Sequence, residues 1–391
     1  MYFPRLRHNK SAFTLVELLV SMTFLVILML VVSEVVAIVQ RTWVRSNSRV
    51  SQFREARVAF DALSRNVSQA TLNAYWGNEF DVLTTDSAGQ TVQKAKSYVR
   101  KSELQFVSGP ANFLFTSLPN AKDYPGHGVF FQAPLGVTSL VAATGPTVVN
   151  TENMSGLLCG RGYFVAWGDD APFRPTFLNQ INTVPTRSRF RLLEYSPTAE
   201  NNPIYRASLR PVTSNSKQWY QQTDDSSGAL VSIVKNNESK GSRAFTRPIA
   251  ENILLLIISP QVEVPPGTTS TTPYSIAPNY SYDSTLITQS GATPPTANSS
   301  QGSQHLLPPL LKISMLAIDQ VSGEELSRNT QLRDSIVTQC NTLFKKASEF
   351  TKDLQGTQDQ PGTLKQFLTS KKINFRVFTT TLALKQSRWS L

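Results

Sequence analysis

Residues 13–39 read FTLVELLVSMTFLVILMLVVSEVVAIV, an almost unbroken apolar run near the start of the chain. Leu, Val, Ile, Met and Phe fill most positions, and the carboxylates Glu17 and Glu34 interrupt them. A helix needs about 20 apolar residues to cross the hydrocarbon core of a bilayer, and residues 13–32 alone supply that length. The run therefore predicts a transmembrane helix, and its two carboxylates require an explanation.

Length and charge set broad limits on the rest of the chain. With 391 residues it exceeds one average domain, so one large or two smaller folded units are expected. A formal net charge of +11 suits an anionic surface such as nucleic acid or membrane, but the basic residues are spread along the whole chain. Two cysteines, Cys159 and Cys340, cannot make a disulfide framework, which leaves one bridge or two free thiols.

The ten residues before the run, MYFPRLRHNK, are short and basic. A basic head followed by an apolar run is also the outline of a secretory signal peptide. That interpretation is disfavoured because the run is longer than the apolar core of a signal, and because QRTWVRS follows it instead of a small-x-small cleavage site. An ordinary signal peptide also gains nothing from Glu17, since a charge at mid-membrane depth costs about 2.5–3.5 kcal/mol.

The stretch AFTLVELLVSM at residues 12–22 resembles the processing signal of type IV prepilins and type II secretion pseudopilins. That signal is a small residue, then Phe-Thr-Leu-(Ile/Val)-Glu-Leu-Leu, then an apolar helix. The resemblance implies that a membrane aspartic peptidase removes the leader 1–12 by cutting between Ala12 and Phe13, and then methylates the new amine of Phe13. Glu17 becomes the fifth mature residue, where the family keeps its Glu. The family usually has Gly before the cut; Ala12 is also small, so we expect cutting there.

Elementary electrostatics supports a special role for Glu17. After cleavage, the amine of Phe13 is a positive charge about 6 Å from Glu17 along the helix axis. A carboxylate in the first turn favours the helix dipole, and in a filament core it would neutralise the amine of a neighbouring subunit. Such a desolvated pair would set the axial register of assembly. The simpler interpretation, a carboxylate among the cytoplasmic headgroups, stays open. Glu34 lies about 31 Å from Phe13 along the helix, at the opposite interface.

The helical pattern continues through residues 40–76, where no Gly or Pro occurs. An apolar stripe with steps of three and four predicts a helix that packs on this protein's own globular region: Phe53, Ala56, Phe60, Leu63, Val67 and Ala70. Between the apolar run and the stripe lies a basic neck formed by Arg41, Arg45 and Arg49 on one helical face. We expect this neck to be solvated near the membrane, with docking to acidic neighbours or to nucleic acid as the alternative.

The globular region 77–391 is predicted to be rich in short strands, with few helices between them. Together with the long N-terminal helix, this indicates an α+β fold in which the helix lies on an antiparallel sheet. The expected strands are residues 104–107, 113–117, 128–133, 163–167, 189–195, 252–259, 311–318 and 375–384. The expected helices are residues 332–354 and 363–370. Residues 261–307, rich in Thr, Ser, Pro, Gly and Asn, are predicted to be a flexible insertion without a core.

The sequence contains no arrangement of residues that indicates catalysis. Ser-His-Asp constellations, Cys-x-x-Cys pairs and phosphate-binding loops are not found, so an enzyme is not expected and neither is a cofactor. The Asp169–Asp170 and Asp224–Asp225 pairs are the best metal candidates, but adjacent loop carboxylates are usually just solvated, so no metal is predicted. The side chains of Trp76, Trp167 and Trp219 are expected in the core or a sheet rather than stacked on sugars or bases.

Two further resemblances extend beyond the N-terminus. QFREARVAFDALSRNVSQATLNAYW and INFRVFTTTLALKQSRWS are similar to the cassette protein C family of verrucomicrobial prepilin-like proteins (Verru_Chthon cassette). The architecture also resembles the J-type minor pseudopilin of type II secretion, and the two interpretations need not exclude each other.

These resemblances imply a structural subunit, minor or at the tip, of a pilus-like or pseudopilus assembly. Its expected partners are the prepilin peptidase and methylase, other pilin-like subunits through the N-terminal helix, and lipid of the inner membrane, with the N-terminus cytoplasmic and the globular region periplasmic. The alternatives are a ligand-binding minor pilin for adhesion or DNA uptake, in which nucleic acid would be a partner, and a membrane-anchored protein that is never assembled.

Overall fold

The computed structural model describes residues 14–80, 84–85, 88–92, 95–115, 123–137, 156–180, 184–199, 204, 219–220, 222–223, 230–231, 245–263, 274–287, 301–356 and 363–387. The chain forms two compact units, Met1–Gln52 and Phe53–Leu391. The first is called the N-terminal unit below, and the second is called the head.

One helix, α1 (Leu15–Val67), contributes to both units. The continuous helix expected through residue 76 ends nine residues earlier, at Val67. The last turn leaves the carbonyl of Arg65 without a helical amide partner. Ser68 Oγ donates to this carbonyl at 2.7 Å and so satisfies it at the helix end. Farther on, the Thr71 amide donates to the Gln132 carbonyl at 2.9 Å, so the chain has already joined a sheet.

The remaining elements follow in chain order. The strands are β1 (Tyr75–Phe80), β2 (Thr84–Thr85), β3 (Thr91–Val92), β4 (Ala95–Lys101), β5 (Val107–Pro110), β6 (His127–Pro134), β7 (Leu158–Gly168), β8 (Arg189–Tyr195), β9 (Gln222–Thr223), β10 (Leu230–Val231), β11 (Thr246–Glu251), β12 (Ile253–Val262), β13 (Tyr274–Ser275), β14 (Tyr282–Asp283), β15 (Leu310–Ile318) and β16 (Phe375–Ala383). The helices are α2 (Ala111–Leu114), α3 (Thr176–Asn179), α4 (Gln320–Arg328), α5 (Thr330–Thr342), α6 (Phe350–Gln355) and α7 (Leu364–Ser370), with 3-10 turns at Ala171–Phe173 and Ala347–Glu349.

The larger sheet is antiparallel, with six strands in the order β11-β8-β7-β6-β5-β14. Its strand β8 was predicted at its observed bounds, but every residue of RFRLLEY is buried rather than alternating with solvent. The reason is that both faces of the sheet are covered: Phe190 and Leu192 belong to one core cluster, and Leu193 and Tyr195 belong to the other. The sheet is therefore an internal layer of the head.

A second antiparallel sheet has four strands in the order β13-β12-β15-β16. Its strand β12 directly follows β11 of the larger sheet, and the residue between them, Asn252, adopts a left-handed backbone with φ of 57°. This corner passes the chain from one sheet to the other. Because β12 is buried along almost its whole length, it contributes to the core on both of its faces.

The second half of α1 covers this core. Ala56, Leu63 and Val67 are buried on its inner face, and the ring of Phe60 packs 6.0 Å from that of Phe378 in β16. On the side of the larger sheet, Asn66 Nδ2 donates to the Tyr163 hydroxyl at 2.7 Å. The expected α+β architecture, with a long helix on antiparallel sheets, is confirmed.

Several expected elements are corrected by the structure. The predicted strand at 113–117 is helical in its described part, because α2 begins after Pro110. The predicted strand at 104–107 starts later, as β5 at Val107. The single helix expected over 332–354 is broken after α5, where Phe344 takes a left-handed φ of 55° and its amide donates to Asp353 Oδ2 at 2.9 Å. A buried carboxylate that bonds the main chain therefore ends one helix and lies within the next, α6.

The insertion predicted at 261–307 is corrected in part. Residues 274–287 and 301–307 belong to the fold, with Ala277, Tyr280 and Tyr282 fully buried and β14 paired to β5. The prediction was wrong there because a few tyrosines anchor a polar segment, and Tyr282 donates its hydroxyl proton to the Leu306 carbonyl at 3.0 Å. Residues 264–273 and 288–300 lie outside the described part of the chain.

The packing of α1 can be tested by truncating one inner side chain. Leu63 is 0% exposed, so Leu63→Ala should lower the free energy of unfolding of the head by about 2–5 kcal/mol. Val58 is 63% exposed on the same helix, so Val58→Ala should change it by no more than about 0.5 kcal/mol. Urea unfolding of the purified chain in detergent, followed by near-ultraviolet circular dichroism, measures both, and equal effects would contradict the described packing.

Candidate functional site

The N-terminal unit exposes an apolar helix surface. Every large apolar side chain from Leu15 to Val44 is at least 48% exposed, and this segment has a mean hydropathy of 2.8 over its most apolar window. Its 30 residues measure about 45 Å, more than the roughly 30 Å of a bilayer core. By length and composition the helix is able to cross a membrane, and an N-terminal signal sequence would share these two properties.

Three hydroxyl groups of this helix are bonded within it. Ser21 donates to the Glu17 carbonyl at 2.7 Å, Thr23 to the Val20 carbonyl at 2.8 Å, and Thr42 to the Ile38 carbonyl at 2.9 Å. A hydroxyl that bonds its own backbone needs no partner from the surroundings. These three polar side chains are therefore compatible with an apolar environment around the helix.

Glu17 lies in the first turn of α1, as expected. Its amide donates to the Thr14 carbonyl at 3.1 Å and lies 3.4 Å from Thr14 Oγ1. The spacing Thr-x-x-Glu at a helix start is that of a capping box, a signal that the sequence analysis missed. Glu17 is therefore positioned to favour the helix N-terminus. Ala12 and Phe13, the predicted cleavage residues, lie outside the described residues.

The basic neck is helical throughout. Arg41, Arg45 and Arg49 recur every four residues within α1, which places them on one helical face. The side chain of Arg41 is exposed, whereas those of Arg45 and Arg49 lie outside the described part.

Within the head, a charged network joins α1 to the larger sheet. Glu194 accepts hydrogen bonds from the Tyr163 hydroxyl and from Arg247 Nε, each at 2.7 Å, and Arg161 lies 3.8 Å away. Burial and the neighbouring Glu194 raise the pKa of Tyr163. Asn66 of α1 donates to the same hydroxyl. Through this hydroxyl, the network links the helix to the larger sheet.

The predicted metal candidates have other roles. Asp170 pairs with Arg174 at 3.1 Å and accepts from the Arg187 amide at 2.8 Å, while Asp169 accepts from the Ala171 amide. These contacts organise the turn after β7. Asp224 and Asp225 lie outside the described residues, and no cluster of three or more His, Cys, Asp or Glu suited to a metal occurs among those described.

The two cysteines are separate, buried thiols. Cys159 lies in β7 and Cys340 in α5, and neither is bridged. Burial raises the pKa of Cys340 to about 12, so its thiol stays protonated and unreactive. Of the two possibilities left open by the sequence, the structure has two free thiols.

The three tryptophans differ in exposure. Trp219 is buried and Trp167 packs 4.6 Å from the ring of Phe190, as expected.

Trp76 is in a strand but is 64% exposed. The β1–β4 register puts Trp76 opposite Arg100, and Asn78 opposite Tyr98, so Trp76, Phe80 and Tyr98 lie on one face of the hairpin. This aromatic face is exposed, and the sequence analysis did not foresee it.

The only histidine of the larger sheet, His127 in β6, is buried. Its Nδ1 accepts from the Ile258 amide at 3.1 Å, and its ring packs 4.6 Å from that of Tyr280. Burial lowers its pKa to about 4, although hydrogen bonds with the backbones of Ile258 and Phe344 act in the opposite direction. The imidazole is therefore neutral and links the two sheets.

Comparison with known proteins gives no further guidance. No family model matches the chain, and no curated protein or solved structure shows significant similarity to it.

His127 predicts how the stability of the head depends on pH. Its folded-state pKa of about 4 lies below the ordinary value of 6.5, so the unfolded chain takes up the proton first as the pH falls. The stability contribution is complete above pH 6.5 and should decline by roughly 3 kcal/mol between there and pH 4. His127→Asn places an amide oxygen near the position of Nδ1 and cannot be protonated. Urea unfolding across this range should show a shallower decline for the variant, and parallel curves would contradict the assignment.

Proposed function

We propose that the protein is a membrane-held precursor of a structural subunit, minor or at the tip, in a pilus-like or pseudopilus assembly. The observation that carries the proposal is the apolar helix surface from Leu15 to Val44, which is exposed on all sides, has Glu17 in its first turn and continues as α1 into the head. A helix that is apolar all round needs lipid or other apolar helices around it. The prepilin-like signal at residues 12–22 supports a sequence of two environments. The helix would first lie in the membrane lipid and would later pack among the helices of a filament.

Cleavage between Ala12 and Phe13 would give the helix a new positive terminus. In a bundle of such helices, Glu17 is the carboxylate of the first turn, so it can meet the amine of an adjacent subunit. A desolvated pair of this kind is strongly penalised when one partner is missing, by about 3–5 kcal/mol. Glu17 would then select the axial register at which subunits join, in addition to its role at the helix start.

The head supports a minor or tip position. It is a large unit of residues 53–391 with two main sheets, which is awkward to repeat along a thin fibre. In this proposal the N-terminus is cytoplasmic, the helix crosses the inner membrane, and the head is periplasmic. The basic neck would lie near the outer leaflet of that membrane. Similarity to the cassette protein C family or to J-type minor pseudopilins agrees with this position and rests on the sequence.

Glu17 and Glu34 form a matched pair for testing this proposal, since both are carboxylates in the same exposed helix. In cells that carry the assembly machinery, the wild-type subunit recovered from shear-released filaments should have a mass that begins at Phe13. Glu17→Gln should reduce incorporation at least tenfold, because the neighbouring amine loses its partner. Glu34→Gln should be incorporated as the wild type is.

Each outcome of this experiment is informative. A mass that retains Met1 in the presence of the peptidase would overturn the processing step. Equal incorporation of both variants would overturn the role of Glu17 in register while leaving processing intact. Circular dichroism of the detergent-solubilised precursors verifies that both variants fold.

A ligand-binding minor pilin is the second candidate function, and the aromatic face of the β1–β4 hairpin favours it. Trp76 and Tyr98 are 64% and 75% exposed and lie diagonally across the strand pair, about 7–8 Å apart at their Cβ atoms. Lys96, at the bulge of the same strand as Tyr98, is exposed as well. Aromatic rings beside cations form a surface on which the bases of single-stranded nucleic acid can stack.

A salt-sensitive gel shift with single-stranded DNA tests the second candidate. Binding to the full chain in detergent should weaken with salt, and Trp76→Ala with Tyr98→Ala should reduce it by about tenfold or more, since stacking contributes about 1–3 kcal/mol per base. Phe177→Ala, which truncates an exposed aromatic elsewhere in the head, is the matched control and should bind normally. Binding that persists in the double variant would remove this candidate.

A further inference from the structure

A cleft of about 770 Å³ opens on the head between elements of both sheets. The end of β5 with α2, the start of β6, strand β12, the segment before β14 and the end of α5 all contribute to its lining. The volume lies within the range of small-molecule binding sites, about 300–1,000 Å³. None of the functional roles assigned above uses this cleft.

The backbone around the cleft is strained at two bulky residues. Tyr280 and Phe344 are bulky residues with left-handed φ values of 62° and 55°, a conformation that costs on the order of 1–3 kcal/mol. Gly126, which also lines the cleft, has φ of 80°, and a Cβ there would lie 2.6 Å from the Leu256 carbonyl. Strain of this kind persists when the surrounding structure enforces it, and it concentrates at binding sites.

The strained residues present polar groups at the rim. Tyr280 turns its ring onto the buried His127, and the preceding residue, Asn279, is exposed at the rim. Phe344 is likewise buried, and the following residues, Lys345 and Lys346, are exposed at the rim. At both strained residues, the backbone buries the aromatic side chain and leaves the adjacent polar residues exposed at the rim.

The rim offers a defined set of chemical groups. Three carboxamides, from Asn112, Asn279 and Asn341, each combine an acceptor with two donors, which suits a ligand with several hydroxyl groups. Lys345 and Lys346 add positive charge, and Lys346 shares its charge with Glu349 at 3.8 Å. A ligand recognised by this set carries hydroxyl groups and a negative charge.

The wall of the cleft adds an apolar surface. Phe113 and Tyr124 are half-buried at the rim, and Leu255 and Ile257 of β12 form part of the floor. His127 at the floor is neutral, and its Nδ1 already accepts a hydrogen bond from Ile258. It therefore adds no positive charge for binding an anion. A sugar ring, with one apolar face and an equatorial belt of hydroxyls, matches a wall of rings beside carboxamides.

We propose that this cleft binds a small acidic saccharide, with the rim carboxamides on its hydroxyls, Lys345 and Lys346 toward its carboxylate, and Phe113 and Tyr124 beside its ring. This inference goes beyond the proposed assembly function and does not depend on it. It gives the head a recognition site that is separate from the helix used for assembly.

Calorimetric titration of the full chain in detergent micelles tests the proposal. The probes are galacturonate, glucuronate and N-acetylneuraminate, with galactose as the uncharged comparison. At least one acidic sugar should bind at least tenfold more tightly than galactose, and its affinity should fall as salt is raised.

Lys345→Glu and Asn341→Leu should each weaken that binding by about tenfold, as expected for the loss of a hydrogen bond to the ligand. Lys365→Glu, at an exposed lysine of α7 outside the cleft, should bind normally.

The outcomes separate clearly. Absence of heat with all three acidic sugars, equal affinity for galactose, or equal loss in Lys365→Glu and Lys345→Glu would each overturn the proposal. The thermal unfolding midpoint of every variant is measured alongside, and Asn341→Ser is used in place of Asn341→Leu if the latter unfolds early. Loss of sugar binding with normal filament incorporation would support the cleft independently of the assembly function.

Discussion

Burial of one face of the second half of α1 against the head is the constraint on which the rest of the structure depends. Leu63 and Val67 are fully buried, Phe60 meets Phe378 of the smaller sheet, and Asn66 bonds Tyr163 of the larger one. One helix thus contacts both sheets at once. The same helix continues without a break into the exposed apolar segment. The network around Glu194 adds polar contacts at this point, because the Tyr163 hydroxyl accepts from Asn66 of α1 and donates to the buried Glu194.

The two sheets depend on a single corner. Asn252 turns the chain from β11 into β12, and the Ile318 amide donates to its carbonyl at 2.9 Å. Strand β12 is then buried on both faces, which requires a layer on either side of it. Its run of Leu and Ile, ILLLII, indicates this burial, since a half-exposed strand would alternate. The rest of the head follows from covering that strand: β6 and its neighbours on one side, and α1 with the C-terminal helices in the same core cluster.

Much of the fold is predictable from local pattern, and the exceptions have physical causes. The long apolar helix, the stripe from Phe53 to Val67 and strands such as β8, β15 and β16 follow from periodicity and composition. The break at Phe344 was missed because it depends on Asp353, a carboxylate nine residues away that bonds the main chain. The folded part of 261–307 was missed because composition averages conceal Tyr280 and Tyr282. For the candidate site, the sequence indicates Glu17, whereas the cleft gathers residues from five separate segments and has no signature in any one of them.

The internally bonded hydroxyls of α1 have a consequence for how such a helix changes its surroundings. Ser21, Thr23 and Thr42 keep their protons on their own backbone, so they make no demand on lipid or on neighbouring protein. Exchange between lipid and neighbouring helices then leaves the hydrogen bonds of these three side chains unchanged. On the proposed function, the free-energy difference between the stored and the assembled subunit would reside largely in Glu17 and its counter-ion. Along most of its length, such a helix would have a similar free energy in lipid and among other apolar helices. The two environments would differ mainly at its N-terminal end, where Glu17 lies.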